Sequence, residues 1–145
     1  MSQPATIEKV LYTATVTTHG GRDGHSKSDD GNLELALQIP KGLGGNGAAG
    51  TNPEQLFAAG YSSCFANAIA HVARAQKIKT GQVVVAAKVS IGPVGEAFGL
   101  AVELTASIPE VTPDQAQQLL DTAHKVCPYS NATRGNIVVD VKLAS

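Results

Sequence analysis

The chain has 145 residues, with 11 Lys and Arg against 12 Asp and Glu and a formal charge of -1. That length suits one ordinary domain burying roughly two thirds of its unfolded surface, so residues 1–145 are read as a single domain. Balanced charge without a Lys/Arg cluster leaves no electrostatic footprint for nucleic acid or an anionic membrane. At 43% hydrophobic and 16% charged residues, the composition also excludes a disordered, solvated chain.

The first residues, Met1 to Lys9, lack the apolar core of a secretory signal, and a cytoplasmic protein is expected. Residues 6–18 are rich in β-branched side chains and meet His19-Gly20-Gly21, a strand and its breaker. Leu33, Leu35, Leu37 and Ile39 alternate with Glu34, Ala36 and Gln38, a strand with one buried face ended by Pro40.

A glycine-rich loop follows, and Thr51-Asn52-Pro53-Glu54 announces a helix running to about Gln76, with Gly60 as a possible kink. Residues 55–73 carry no formal charge and match a membrane span in length. Gln55, Ser62, Ser63, Asn67 and His71 are too polar to face lipid, so a central buried helix is expected instead. Residues 82–91 and 98–108 read as strands, with Leu100, Val102, Leu104, Ala106 and Ile108 on one face. Thr112-Pro113-Asp114-Gln115 opens a second helix, whose apolar stripe is Ala116, Leu119, Leu120, Ala123 and Cys127. Pro128 should stop it, and residues 137–143 form a last strand. This order gives an α+β fold without tandem βαβ units: two antiparallel β-sheets wrapped on a long helix.

Four groups of residues invite a chemical reading. Gly42-Leu43-Gly44-Gly45-Asn46-Gly47 matches a dinucleotide fingerprint literally but lies too far ahead of the helix to serve as one. Cys64 lies among Ala58, Ala59, Gly60, Ser62, Ser63, Ala66 and Ala68; it either only packs or is reachable through that run of small side chains. Two thiols in a reducing compartment are not a permanent staple. At the C-terminal end of the second helix Cys127 is the less ionised of the two, hence the resolving partner if Cys64 is the one that attacks.

Cys64 sits about three turns inside its helix, beyond the reach of the helix-end field. Lowering a thiol from about 8.5 to about 6 therefore requires a cation from elsewhere. Arg22, between Gly20-Gly21 and Asp23-Gly24, is the candidate, either that or an ordinary solvated turn residue. Glu54 either belongs to the first helical turn or holds the Arg22 guanidinium bidentately. A metal site built on His124 with Cys127, or on Cys64 with His71, competes poorly, the second pair being about 10 Å apart in helical rise.

The segments Gly20-Gly21-Arg22-Asp23-Gly24, Ser28-Asp29-Asp30-Gly31, Gly50 to Tyr61 ahead of Cys64-Phe65, and Cys127-Pro128-Tyr129-Ser130-Asn131 with Arg134-Gly135-Asn136 together resemble the organic hydroperoxide resistance (Ohr) proteins of the OsmC-like superfamily. The resemblance spans essentially the whole chain. It implies an intertwined α+β homodimer that reduces organic hydroperoxides, fatty-acid hydroperoxides included, to alcohols. By matching motif, Cys64 would be the peroxidatic cysteine, Cys127 the resolving cysteine, and Arg22 with Glu54 the pair that activates the thiolate. The resemblance further implies re-reduction by dihydrolipoamide or a lipoylated protein, with no bound metal, flavin or haem. His25 departs from the arginine often found in this turn.

Two geometric expectations follow. Glu54 and Cys64 on one continuous helix are about 15 Å apart in rise, so the site should be shared between subunits unless the helix breaks near Gly60. A Cys64–Cys127 disulfide would require their helices to pack together. Phe57, Phe65 and Phe98 are candidates to line an alkyl-chain pocket, or simply core.

Overall fold

The structure is a computed structural model that describes residues 4–145; residues 1–3, the start of the Met1 to Lys9 stretch read above, lie outside the described residues. The chain divides into two compact units, one up to Asn52 and one from Pro53 onward.

The first unit holds a three-stranded antiparallel sheet in the order β1 (Val16–His19), β2 (His25–Ser28), β3 (Glu34–Ala36). The first strand is much shorter than residues 6–18 suggest, because β2 supplies ladder partners only back to Val16. β-Branched residues favour a strand only where an edge is available to pair with. β2 was not expected: His-Ser-Lys-Ser offers no apolar alternation, and its inward residue is Ser26, buried and 2.7 Å from Thr18 Oγ1.

Between β1 and β2 the backbone reverses through two glycines. Gly20 adopts φ +84°, and a Cβ on Gly24 would stand 2.0 Å from the His19 carbonyl oxygen. The half-buried Arg22 is carried by this turn. Residues 28–33 form the second turn, where the Asp30 carboxylate accepts from Ser28 Oγ at 2.6 Å and from the Asn32 backbone N–H at 2.9 Å. Those bonds, Ser28's first, hold the Asp30 carboxyl below its ordinary range. The glycine-rich loop forms a short 3-10 turn at Lys41–Leu43, well ahead of the helix.

The second unit contains α1 (Pro53–Ala75), β4 (Val84–Val94), β5 (Ala97–Ser107), α2 (Pro113–Val126), α3 (Pro128–Thr133) and β6 (Val139–Leu143). α1 runs uninterrupted through Gly60 and buries Tyr61, Phe65, Ala68, Ile69, Val72 and Ala73 along one stripe; Ala59, Ser63 and Asn67 are exposed. Within this unit the helix is therefore covered on one side, not all round.

β4 and β5 form a long antiparallel hairpin that keeps Gly92 and Pro93 inside the ladder, opposite Gly99 and Phe98, so the turn is tighter than expected. β5 turns Val102, Leu104 and Ala106 into the core, and Ile108 just past its end is buried as well, as the alternation predicts. α2 starts on the expected capping box: Gln115 N donates to Thr112 Oγ1, and Thr112 N donates to Gln115 Oε1, both at 3.2 Å. Its stripe from Ala116 to Cys127 is buried.

Two expectations need correction. The second sheet, in the order β4-β5-β6, is mixed and not antiparallel, because β6 runs parallel to β5. The chain crosses back through α2 and α3, and such a crossover places the next strand in the same direction. Pro128 does not merely stop α2. Lacking an N–H, it opens the six-residue α3, an element hidden by its reading as a breaker.

Candidate active site

α1 and α2 pack together so that Cys64 and Cys127, 63 positions apart in sequence, bring their sulfurs within 3.8 Å. Both are free thiols, Cys64 half-buried and Cys127 buried. Cys127 closes α2, its backbone N–H bonding to the Ala123 carbonyl, and caps the start of α3. Cys127 thus stands at the C-terminal end of one helix and at the N-terminal end of the next.

Burial is the largest influence on the Cys64 thiol and pushes it up; Cys127 beside it adds to the rise, and the backbone N–H of Tyr129 opposes it. A thiolate working at neutral pH must overcome that burial with positive charge. Cys64 lines a cleft of about 280 Å³ together with Asn67, Ala68, His71, Val126 and Pro128. Pro128 also borders a second, mainly apolar cleft of about 400 Å³ lined by Phe57, Leu100, Tyr129 and Ile137.

The three phenylalanines take three different places. Phe57 lines the apolar cleft, Phe65 is fully buried in the core, and Phe98 is 75% exposed on the hairpin. Gly60 earns its place by proximity: a Cβ there would come within 2.4 Å of Tyr129 Oη. The rings of Phe57, Tyr61 and Tyr129 meet edge-on or tilted at centroid distances of 5.6–6.2 Å.

Sequence reasoning missed a polar cluster behind the cysteines. Ser130 Oγ lies 2.8 Å from Tyr61 Oη and 2.8 Å from His124 Nδ1, and Tyr61 Oη lies 3.2 Å from Thr133 Oγ1. Arg134 donates to the His124 carbonyl and, at 2.8 Å, to Asn131 Oδ1. The available signal was three hydroxyl residues, Tyr61, Ser130 and Thr133, placed at helical spacing on faces that also carry core residues. Among the described residues, no group of three or more His, Cys, Asp or Glu side chains is placed to hold a metal ion.

Arg22 stands in the β1–β2 turn of the first unit, and Glu54 in the first turn of α1. On that continuous helix, Glu54 is about 15 Å of rise from Cys64. His25 Nε2 lies 3.2 Å from Glu34 Oε2, across the neighbouring strand.

Residues 44–142 match the family model for OsmC-like proteins. The chain is 51% identical over 141 residues to the organic hydroperoxide resistance protein of Xanthomonas axonopodis pv. citri, covering 97% of this chain and 99% of that one. The chain belongs to the organic hydroperoxide resistance proteins of the OsmC-like family.

Solved Ohr structures agree. An organic hydroperoxide resistance protein from Elizabethkingia anophelis superposes with a TM-score of 0.90 at 55% identity, over 94% of this chain and 99% of that one. One from Vibrio cholerae, crystallised with captopril in one of its active sites, superposes with a TM-score of 0.90 at 49% identity, over 95% of each chain. Among the described residues, no helix of this Ohr chain is long and apolar enough to cross a membrane.

Proposed function

We propose that this Ohr protein is a cysteine-based peroxidase that reduces organic hydroperoxides, those of fatty acids among them, to alcohols. The Cys64 thiolate attacks the outer peroxide oxygen; the O–O bond breaks, the alkoxide leaves and takes up a proton, and Cys64 becomes a sulfenic acid. Cys127 then attacks that sulfur, expelling water and forming the Cys64–Cys127 disulfide. A dithiol of the dihydrolipoamide type, free or on a lipoylated protein, reduces the disulfide and is itself oxidised. The single observation that carries this reading is the 3.8 Å contact between two free sulfurs in a family of hydroperoxide resistance proteins.

Arg22 and Glu54 complete the site: the guanidinium supplies the positive charge that burial of Cys64 makes necessary, and Glu54 holds that guanidinium bidentately. The working form is an intertwined homodimer in the cytoplasm, each copy acting as one domain, with Arg22 and Glu54 of one protomer serving Cys64 of its partner. Two observations support this arrangement. Glu54 is far along α1 from the sulfur, and the segment before β1 leaves Ile7, Val10, Leu11 and Tyr12 between 66% and 88% exposed in the single chain. Side chains of that size in a row are normally covered by another chain. The apolar cleft beside Pro128 suits the alkyl part of the substrate.

Turnover of cumene hydroperoxide with dihydrolipoamide as reductant tests the reading. Many turnovers per chain are expected. Reaction that stops after one equivalent, with ample dithiol present, would overturn catalysis in favour of a redox-sensing module.

A further inference from the structure

The polar cluster behind the cysteines is a chain with one direction. Each hydroxyl has a single hydrogen to donate. Thr133 Oγ1 gives its hydrogen to the Tyr129 carbonyl at 3.0 Å or the Ser130 carbonyl at 3.3 Å, so toward Tyr61 it accepts. Tyr61 Oη therefore donates to Thr133 and accepts from Ser130, and Ser130 accepts from the Nδ1–H of His124. Tyr61 and Ser130 are completely buried and Thr133 nearly so, which makes each of these bonds costly to break.

This chain brackets the two sulfurs. Tyr61 precedes Cys64 by three residues on α1; His124 precedes Cys127 by three on α2, and Ser130 follows it by three on α3. One oxygen, that of Ser130, thus ties three helices together about one turn away from the reacting pair. The chain ends on main-chain carbonyls of α3, the element that follows Cys127 directly.

Resting on the peroxidase reading above, we propose that the His124–Ser130–Tyr61–Thr133 chain is a positioning device that holds the turn at Cys127 against Cys64 and so sets how fast Cys127 captures the Cys64 sulfenic acid. In that step the Cys127 sulfur bonds to the Cys64 sulfur, the S–O bond breaks, and the departing hydroxide leaves as water with the thiol's proton. The sulfurs close from 3.8 Å to about 2.05 Å, a short approach that a tied turn makes in one direction. The competing fate is attack by a second hydroperoxide, which oxidises the sulfenic acid to sulfinic acid and releases another alcohol. The four residues act through Cys127 and are positioning residues.

The test is a competition in the full-length reduced protein. Wild type, Tyr61→Phe and Ser130→Ala are pulsed with cumene hydroperoxide over a range of concentrations, and intact mass separates disulfide from sulfinic acid. At matched peroxide the sulfinic fraction should rise about five-fold in each variant, the effect of losing one net buried hydrogen bond. Tyr61→Phe keeps the ring and loses one oxygen, so circular dichroism should show it folded. A folded Tyr61→Phe protein that partitions like wild type overturns the positioning role. A wild-type protein that yields neither alcohol nor disulfide overturns the peroxidase reading itself, a result that does not involve the variants.

Discussion

The sulfurs of Cys64 and Cys127 face each other at 3.8 Å across the packed helices α1 and α2, in contact but about 1.8 Å short of a disulfide. Oxidation should therefore need only a local adjustment. One equivalent of cumene hydroperoxide is expected to convert the wild-type chain to an intramolecular disulfide, read by non-reducing mass spectrometry. Cys64→Ser should abolish peroxide consumption, and Cys127→Ser should release one alcohol and then progress to sulfinic acid. Wild-type consumption by Cys64→Ser would remove Cys64 from the chemistry.

Gly60 is kept small by the Tyr129 ring. In an open helix Gly→Ala gains about 1 kcal/mol, but here the new methyl group would meet Tyr129 Oη at 2.4 Å and Cζ at 2.9 Å. Overpacking of this kind costs about 1–3 kcal/mol, so Gly60→Ala should not stabilise the protein. Combining it with Tyr129→Phe, which removes the nearest atom and leaves Cζ at 2.9 Å, should recover part of the lost stability. Additive effects in denaturant unfolding would show that the two positions do not meet.

Much of this arrangement is legible before any coordinates. The stripe from Ala116 to Cys127 and the alternation from Leu100 to Ile108 are dictated by which positions must be dry, and both fold as their periods require. The capping box at Thr112 is a local pattern with a local cause. What escaped depends on pairing partners, or on a second role for one residue, that the local pattern does not display. β2 is a strand because two neighbours pair with it, α3 exists because Pro128 opens a helix as well as closing one, and β6 runs parallel to β5 because of where the crossover lands it. At the site, the two cysteines stand out as a pair, whereas the Tyr61–Ser130 bond joins residues 69 positions apart and has no sequence period.

A site shared between protomers predicts complementation. Arg22→Ala should slow peroxide reduction at pH 7 by about ten-fold or more, because loss of the guanidinium lowers the thiolate fraction, and the defect should shrink steadily as the pH is raised past the value of about 8.5 usual for a free thiol. Co-expressed with a differently tagged Cys64→Ser chain and purified as the heterodimer, it should regain activity, since one site then unites Arg22 of one chain with Cys64 of the other. A heterodimer as inactive as its parents, or a crystal structure with Arg22, Glu54 and both cysteines gathered within one chain, would contradict the shared site.

His124 links the site to acid stability. Burial, and then the Arg134 charge, hold its imidazole below the ordinary range, with Asp121 opposing them. In the unfolded chain the group takes up its proton near pH 6.5. Between that value and the lower folded one the unfolded state binds more protons, so the contribution is present above about pH 6.5 and lost as pH falls through the folded pKa. Melting temperatures followed from about pH 7.5 to about pH 5 should fall more steeply for wild type than for His124→Asn. Equal slopes would mean that His124 titrates alike in both states.

Everything in the cycle depends on Cys64 being ionised when peroxide arrives, although its burial and its neighbour Cys127 both favour the protonated thiol. Thiolate absorbance near 240 nm, followed against pH in the intact reduced protein with Cys127→Ser to isolate the signal, measures this directly. The midpoint should lie well below the value of about 8.5 usual for a free thiol and rise toward or above it in Arg22→Ala. A midpoint at or above 8.5 in the chain that retains Arg22 would contradict the account.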